Sequence, residues 1–269
     1  MQGGNFMPRV CFWSIGDGKH SYILQALVDS FHAVGMKEDF HVFADRKIEG
    51  ATTHSVGTFN KKRFLFKFDF LRDRVKELDY DLFIFLDADN YFVRKPPFPL
   101  ENLMQGASIH AFFENDCTKA DPHKLWWRCP VGEFVHLMRE CGITDEKVYN
   151  VNAGFFIVQR EAIDVVCGLA LDFWENASRH GYELTEEAPL AYAAQMLCNH
   201  PEKHLLRDHF NVWCSDWKGY YTDRMPDGKE WIFPDYMTLE PYTVNPAIIH
   251  AIRSKEAMVN AAREHHLTL

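Results

Sequence analysis

Leu82-Phe83-Ile84-Phe85-Leu86, followed at once by Asp87-Ala88-Asp89, decides how this chain is read. Five consecutive apolar residues without alternation need cover on both faces, as a strand has in the middle of a parallel sheet. The carboxylates come directly after that strand. Ligands of open α/β sheets bind outside the carboxyl ends of the strands, so Asp87 and Asp89 stand where a site is expected. Two acids two residues apart can converge on one cation, and oxygen ligands suit the Mg2+ or Mn2+ that bridges to substrate phosphates.

The residues upstream supply the rest of an α/β unit. Residues 8–15 read as a buried strand ending in the turn Gly16-Asp17-Gly18. Residues 20–34 carry Tyr22, Ile23, Leu27, Val28 and Phe31 at helical spacing, with Gly35 as the stop. Phe40-His41-Val42-Phe43-Ala44 is a second strand, and residues 61–78 are a helix with Phe64, Phe68, Leu71 and Val75 on one face. Strand, helix, strand, helix, strand implies an α/β fold. Downstream, strands are expected at 108–113, 154–158 and 247–249, and helices at 132–140, 160–175 and 188–198. Residues 208–241, rich in Trp, Tyr, Asp and Gly, read as long binding loops. There is no repeat and no linker. One compact domain over 1–269 is therefore expected, with a nucleotide-binding half of about 1–115 and a sugar- and acceptor-binding half of about 116–269.

Charge narrows the function classes. A net charge of −9 argues against nucleic-acid binding through a broad basic surface. An acidic protein that holds a diphosphate needs local countercharge from a cation, a few Lys or Arg, or backbone donors. Seven cysteines, an odd number with no C-x-x-C pair, suggest neither a disulfide framework nor a zinc ribbon, and point to a reducing, cytoplasmic location. No apolar run approaches the ~20 residues that span a bilayer, and no signal peptide is visible. Peripheral membrane contact stays compatible with both facts.

With these motifs the chain resembles glycosyltransferases of the GT-A fold, most closely the glycogenin/galactosyltransferase type known as family 8, in separated segments from about residue 10 to 255. Phe83-Ile84-Phe85-Leu86-Asp87-Ala88-Asp89 looks like that family's metal and donor motif, and Ile248-Ile249-His250 looks like its C-terminal metal-binding histidine. The resemblance implies a Rossmann-like, mostly parallel sheet flanked by helices and metal ligands Asp87, Asp89 and His250. The imidazole favours Mn2+ over Mg2+. It implies a nucleotide-sugar site made by Tyr22, stacked on the base, with Arg63, Lys67, Asp87, Ala88, Asn152, Ala153, Gly154 and Lys255. A core role for Tyr22 and a solvated basic face for Arg63 are the competing readings. Glu186 or Glu187 is the catalytic candidate, although acids in a first helical turn are favoured by the dipole alone. Family 8 enzymes usually follow the histidine with Gly and Lys. Here Ala251-Ile252-Arg253-Ser254-Lys255 has no Gly and a shorter spacing, so another GT-A family stays open.

The activity implied is transfer from a nucleoside-diphosphate sugar, UDP-linked, to a hydroxyl of a glycan acceptor, with retention favoured. Trp213 and Trp217, near Asp216 and Asp223, are the acceptor-binding candidates. Two alternatives are a carbohydrate-binding protein of this fold without catalysis and a haloacid-dehalogenase-type phosphatase. The phosphatase motif continues with Thr or Val and lies near the N-terminus, whereas here Asn90 follows and most of the α/β unit comes first. A sugar-nucleotide pyrophosphorylase would need a longer Gly-rich loop than Gly16-Asp17-Gly18-Lys19.

Overall fold

The structure, a computed structural model, describes residues 8–57, 65–126, 128–215, 231–234 and 241–266, with backbone alone at 231–234, 241–244 and 265–266. In chain order the elements are β1 (Val10–Gly16), α1 (His20–Ala33), β2 (Asp39–Ala44), β3 (Thr52–Ser55), α2 (Phe66–Phe70), β4 (Leu82–Leu86), β5 (Asn90–Phe92), β6 (Ile109–Asp116), β7 (Leu125–Trp126) and β8 (Cys129–Pro130). Then follow α3 (Val131–Glu140), β9 (Tyr149–Gln159), α4 (Ile163–Arg179), α5 (Glu187–Leu197), β10 (Trp213–Ser215), β11 (Trp231–Pro234), β12 (Pro241–Val244), β13 (Ile248–His250) and α6 (Lys255–His266).

Six strands form the central sheet in the order β3-β2-β1-β4-β9-β6. β1, β2, β3 and β4 pair in parallel. β9 runs antiparallel to both β4 and β6, so β6 shares the direction of β4. The sheet is thus mixed, with one reversed strand among parallel ones. That strand comes from the expected second half of the chain, yet it lies between two strands of the first, so the halves interleave.

β4 shows why its sequence does not alternate. Phe83 and Phe85 pack with Trp13, Phe68 and residues of α3, α4 and α5 on one face. Leu82, Ile84 and Leu86 pack with Phe12, α1 and α6 on the other. All five are buried, and each such side chain contributes on the order of 1.5–3 kcal/mol. α1 stops where Gly35 adopts φ +81°. Its N–H bonds to His32 O at 2.9 Å and that of Met36 to Phe31 O at 3.3 Å, which satisfies carbonyls the helix leaves open.

Several boundaries differ from expectation. The described part of the helix expected at 61–78 is only five residues of α-helix, Phe66–Phe70, followed by a π-helical turn at Leu71–Val75. The strand expected at 154–158 begins earlier, at Tyr149, so Asn152-Ala153-Gly154 lies in the interior of β9. The segment 208–241 is not all loop, because β10 and β11 fall within it. A second sheet, β10-β13-β5, stands against the carboxyl end of β4, and β11-β12 and β7-β8 are separate antiparallel pairs. No helix among the described residues is long and apolar enough to cross a membrane.

Candidate metal centre

The site begins where the chain leaves β4. The Asp87 N–H donates to Gly154 O at 2.9 Å, and the Asn90 N–H to Asp87 O at 2.9 Å, closing a turn. The Asn90 side-chain amide donates to Asp87 O at 3.1 Å and Gly154 O at 2.8 Å, and its oxygen accepts from Trp213 Nε1 at 2.8 Å. One buried amide therefore ties the metal motif to β9 and to β10. Asn90 also pairs with His250 across β5 and β13, and the Ala251 N–H donates to Asp89 O at 2.7 Å. The second sheet thereby delivers a histidine from 161 residues beyond Asp89 to the two aspartates.

His250 Nε2 lies 3.1 Å from Asp89 Oδ1 and 3.7 Å from Asp87 Oδ2. Asp87, Asp89 and His250 each present one donor atom within 4.8 Å of the others. Ligands about 2.1 Å from one ion and at right angles stand about 3 Å apart, so these groups fit a shared divalent cation. Burial alone would lower the His250 pKa, but Asp89 and then Asp87 outweigh it and the net direction is up. Burial likewise opposes the charge on Asp89, yet His250 and Lys255 hold its carboxyl far below the usual range.

Gly154 is required by the packing of that imidazole. A Cβ at position 154 would stand 2.6 Å from His250 Cε1 and Nδ1, and 2.9 Å from Asn152 Oδ1. Nδ1 of His250 is buried over this glycine with no hydrogen-bond partner. Asn152 spends its oxygen on the Gly154 N–H at 2.8 Å.

Behind the aspartates lies Lys67, 3% exposed. Its Nζ is 2.8 Å from Asp87 Oδ1, 2.9 Å from Glu186 Oε1 and 3.2 Å from Ala153 O. Burial disfavours the ammonium, but the two carboxylates more than offset this and raise its pKa. Glu187 is buried one residue further on, at the start of α5. Burial, then Glu114 and Glu186, push its carboxyl well above the ordinary range. Glu114 itself is raised to about 7 by burial, against a hydrogen bond from Asn150 Nδ2 at 2.7 Å and the charge of His250. Glu114 was not singled out from sequence. The signal was present, since it directly follows the expected strand 108–113, and in the structure it lies near the carboxyl end of β6.

The other candidates divide. Lys255, the first residue of α6, reaches Asp89 Oδ2 at 2.7 Å. Ala88 turns its methyl into the core. Tyr22 is 59% exposed rather than packed in the core, and the Arg46 guanidinium sits 3.8 Å over its ring. Trp213 is a correction: it is fully buried, stacks on Phe112 and donates to Asn90, so it offers no face to an acceptor. Arg63 and Trp217 lie outside the described residues. No known family profile and no curated protein matches this chain by sequence.

Proposed function

We propose that the chain is a metal-dependent glycosyltransferase of the GT-A type, which transfers a sugar from a nucleoside-diphosphate sugar, UDP-linked, to a hydroxyl of a glycan acceptor with retention of configuration. One observation carries this reading. Asp87, Asp89 and His250 converge at the carboxyl end of a central parallel strand, with a buried lysine behind them and further acids beside them. Metal ligands at a strand end suit an ion that bridges to phosphates, and the countercharge is local, as the chain's negative net charge demands.

A bound divalent cation, Mn2+ in preference to Mg2+, supplies stabilisation of the charge that develops on the departing diphosphate. The protein's own groups do the rest. Lys67 fixes Asp87 and Glu186 in one rigid arrangement, so the metal ligand and the acid facing the sugar keep a constant relation. Glu186, ion-paired with Lys67, holds negative charge beside the sugar. Burial, with Glu114 and Glu186 nearby, favours the protonated form of Glu187, the form that can donate a hydrogen bond to a sugar oxygen. Tyr22 presents an exposed ring to the base. All seven cysteines are unbridged, which supports a reducing, cytoplasmic setting.

The test is a panel of sugar nucleotides offered with Mn2+ and scored for nucleoside-diphosphate release and thermal stabilisation. At least one donor should raise the melting temperature and release its diphosphate. If none does either, the reading is wrong.

A further inference from the structure

Both oxygens of Asp89 are engaged, Oδ1 by His250 and Oδ2 by Lys255. A divalent cation needs the same lone pairs, so it competes with whatever holds them. The two lysines of the site differ in how they can respond. Lys67 is buried with three partners, and withdrawing it would strand charge in the interior. Lys255 has a side chain 40% exposed and a flexible stem at the first residue of a 12-residue helix, so it can swing out at little cost.

We propose that Lys255 is a mobile counter-ion that couples metal binding to donor binding. It competes with the cation for Asp89 when no nucleotide is bound, and transfers to the diphosphate once the cation and nucleotide arrive together. This rests on the reading of the site as a nucleotide-sugar site. The geometry favours the transfer. A cation on Asp89 would supply a binding point for phosphate oxygens, and Lys255, 2.7 Å from Asp89 Oδ2, stands beside that point. Lys255 also opens α6, whose N-terminal end carries the partial positive charge of the helix and points the same sign at an anion. The Ser254 hydroxyl, buried just before that first turn, has no hydrogen-bond partner, so the helix end is left uncapped by its own N-terminal serine.

The signature is an inversion of sign in one variant. Mn2+ affinity is measured by electron paramagnetic resonance for the wild type, Lys255→Ala and Lys255→Arg, first alone and then with saturating UDP. UDP affinity is measured by calorimetry with Mn2+ present. Without UDP, Lys255→Ala should bind Mn2+ about two- to fivefold more tightly, the scale of a partly exposed ion pair removed from competition. With UDP the order should reverse, the variant binding both Mn2+ and UDP on the order of tenfold more weakly, a usual coupling between two ligands. Lys255→Arg should stay near wild type in both conditions. If Lys255→Ala moves Mn2+ affinity the same way with and without UDP, the lysine does not change partners and the proposal is overturned. A wild type that shows no Mn2+-dependent UDP binding refutes the parent reading instead, and takes this proposal with it.

Discussion

Gly154→Ala perturbs the candidate metal centre through one methyl group. The new Cβ would be 2.6 Å from two ring atoms of His250, and a normal carbon contact is about 3.5–4.0 Å. The imidazole must then retreat by close to an ångström. It cannot turn freely, because β13 is pinned between β10 and β5 and Ala251 is tied to Asp89 O. The Asn152 oxygen, 2.9 Å away, must shift too, at the expense of its bond to the residue 154 N–H. Overpacking of this kind costs about 1–3 kcal/mol of stability. If His250 binds the proposed cation, disturbing its support costs about 10–100-fold in metal affinity. Urea unfolding gives the first quantity and Mn2+ titration the second. Gly154 carries no positive φ, so backbone strain does not contribute. A Gly154→Ala protein with unchanged stability and unchanged Mn2+ affinity would refute the claim that this glycine exists to seat His250.

Other substitutions probe the surrounding groups. Lys67→Met strands Asp87 and Glu186 in the interior and should lower stability by about 3–5 kcal/mol in chemical denaturation. Trp213→Phe keeps the stacking on Phe112 but leaves the Asn90 oxygen without its donor, so a loss of about 1–3 kcal/mol is expected, with no specific change in acceptor KM. Tyr22→Ala should leave the melting temperature within a degree or two of wild type, yet weaken nucleotide binding by about 1–3 kcal/mol in calorimetry, the usual worth of one stacked base. Glu114 supplies a pH test. Its folded pKa of about 7 lies above the unfolded value, so its contribution is fully present below about pH 4.3 and is lost as pH rises through about 7. Glu114→Gln should therefore gain stability relative to wild type between those limits, by about 1–2 kcal/mol once the partial exposure of the carboxyl is allowed for. A flat difference across that window would contradict the raised pKa.

How much could be read beforehand follows from the range of the forces involved. β4 was legible because a strand covered on both faces leaves an unmistakable apolar run, and Gly35 because only its kind of backbone closes α1 with both terminal bonds. The three candidate metal ligands are brought together, although β5, which makes this possible, was not expected. Its three residues are too few for periodicity, and its partner β13 lies far along the chain. β9 was started late because Asn152-Ala153-Gly154 has turn composition, while the strand there is dictated by pairing with β4 and β6. α6 was missed because its apolar face is thin, and docking on α1 rather than propensity orders it. Trp213 misled because aromatics anchor cores as readily as they stack on sugars. Its burial, its stacking on Phe112 and its bond to the Asn90 oxygen together assign it to the core here.

In the proposed function, a cation held by Asp87, Asp89 and His250 carries the diphosphate of the donor. The most direct measurement is 31P relaxation of UDP with substoichiometric protein and Mn2+. Wild type should show strong paramagnetic broadening of both phosphorus signals, abolished by Asp89→Ala while the variant keeps its thermal unfolding transition. Broadening of equal strength in the variant, or UDP binding to wild type without broadening, would contradict it.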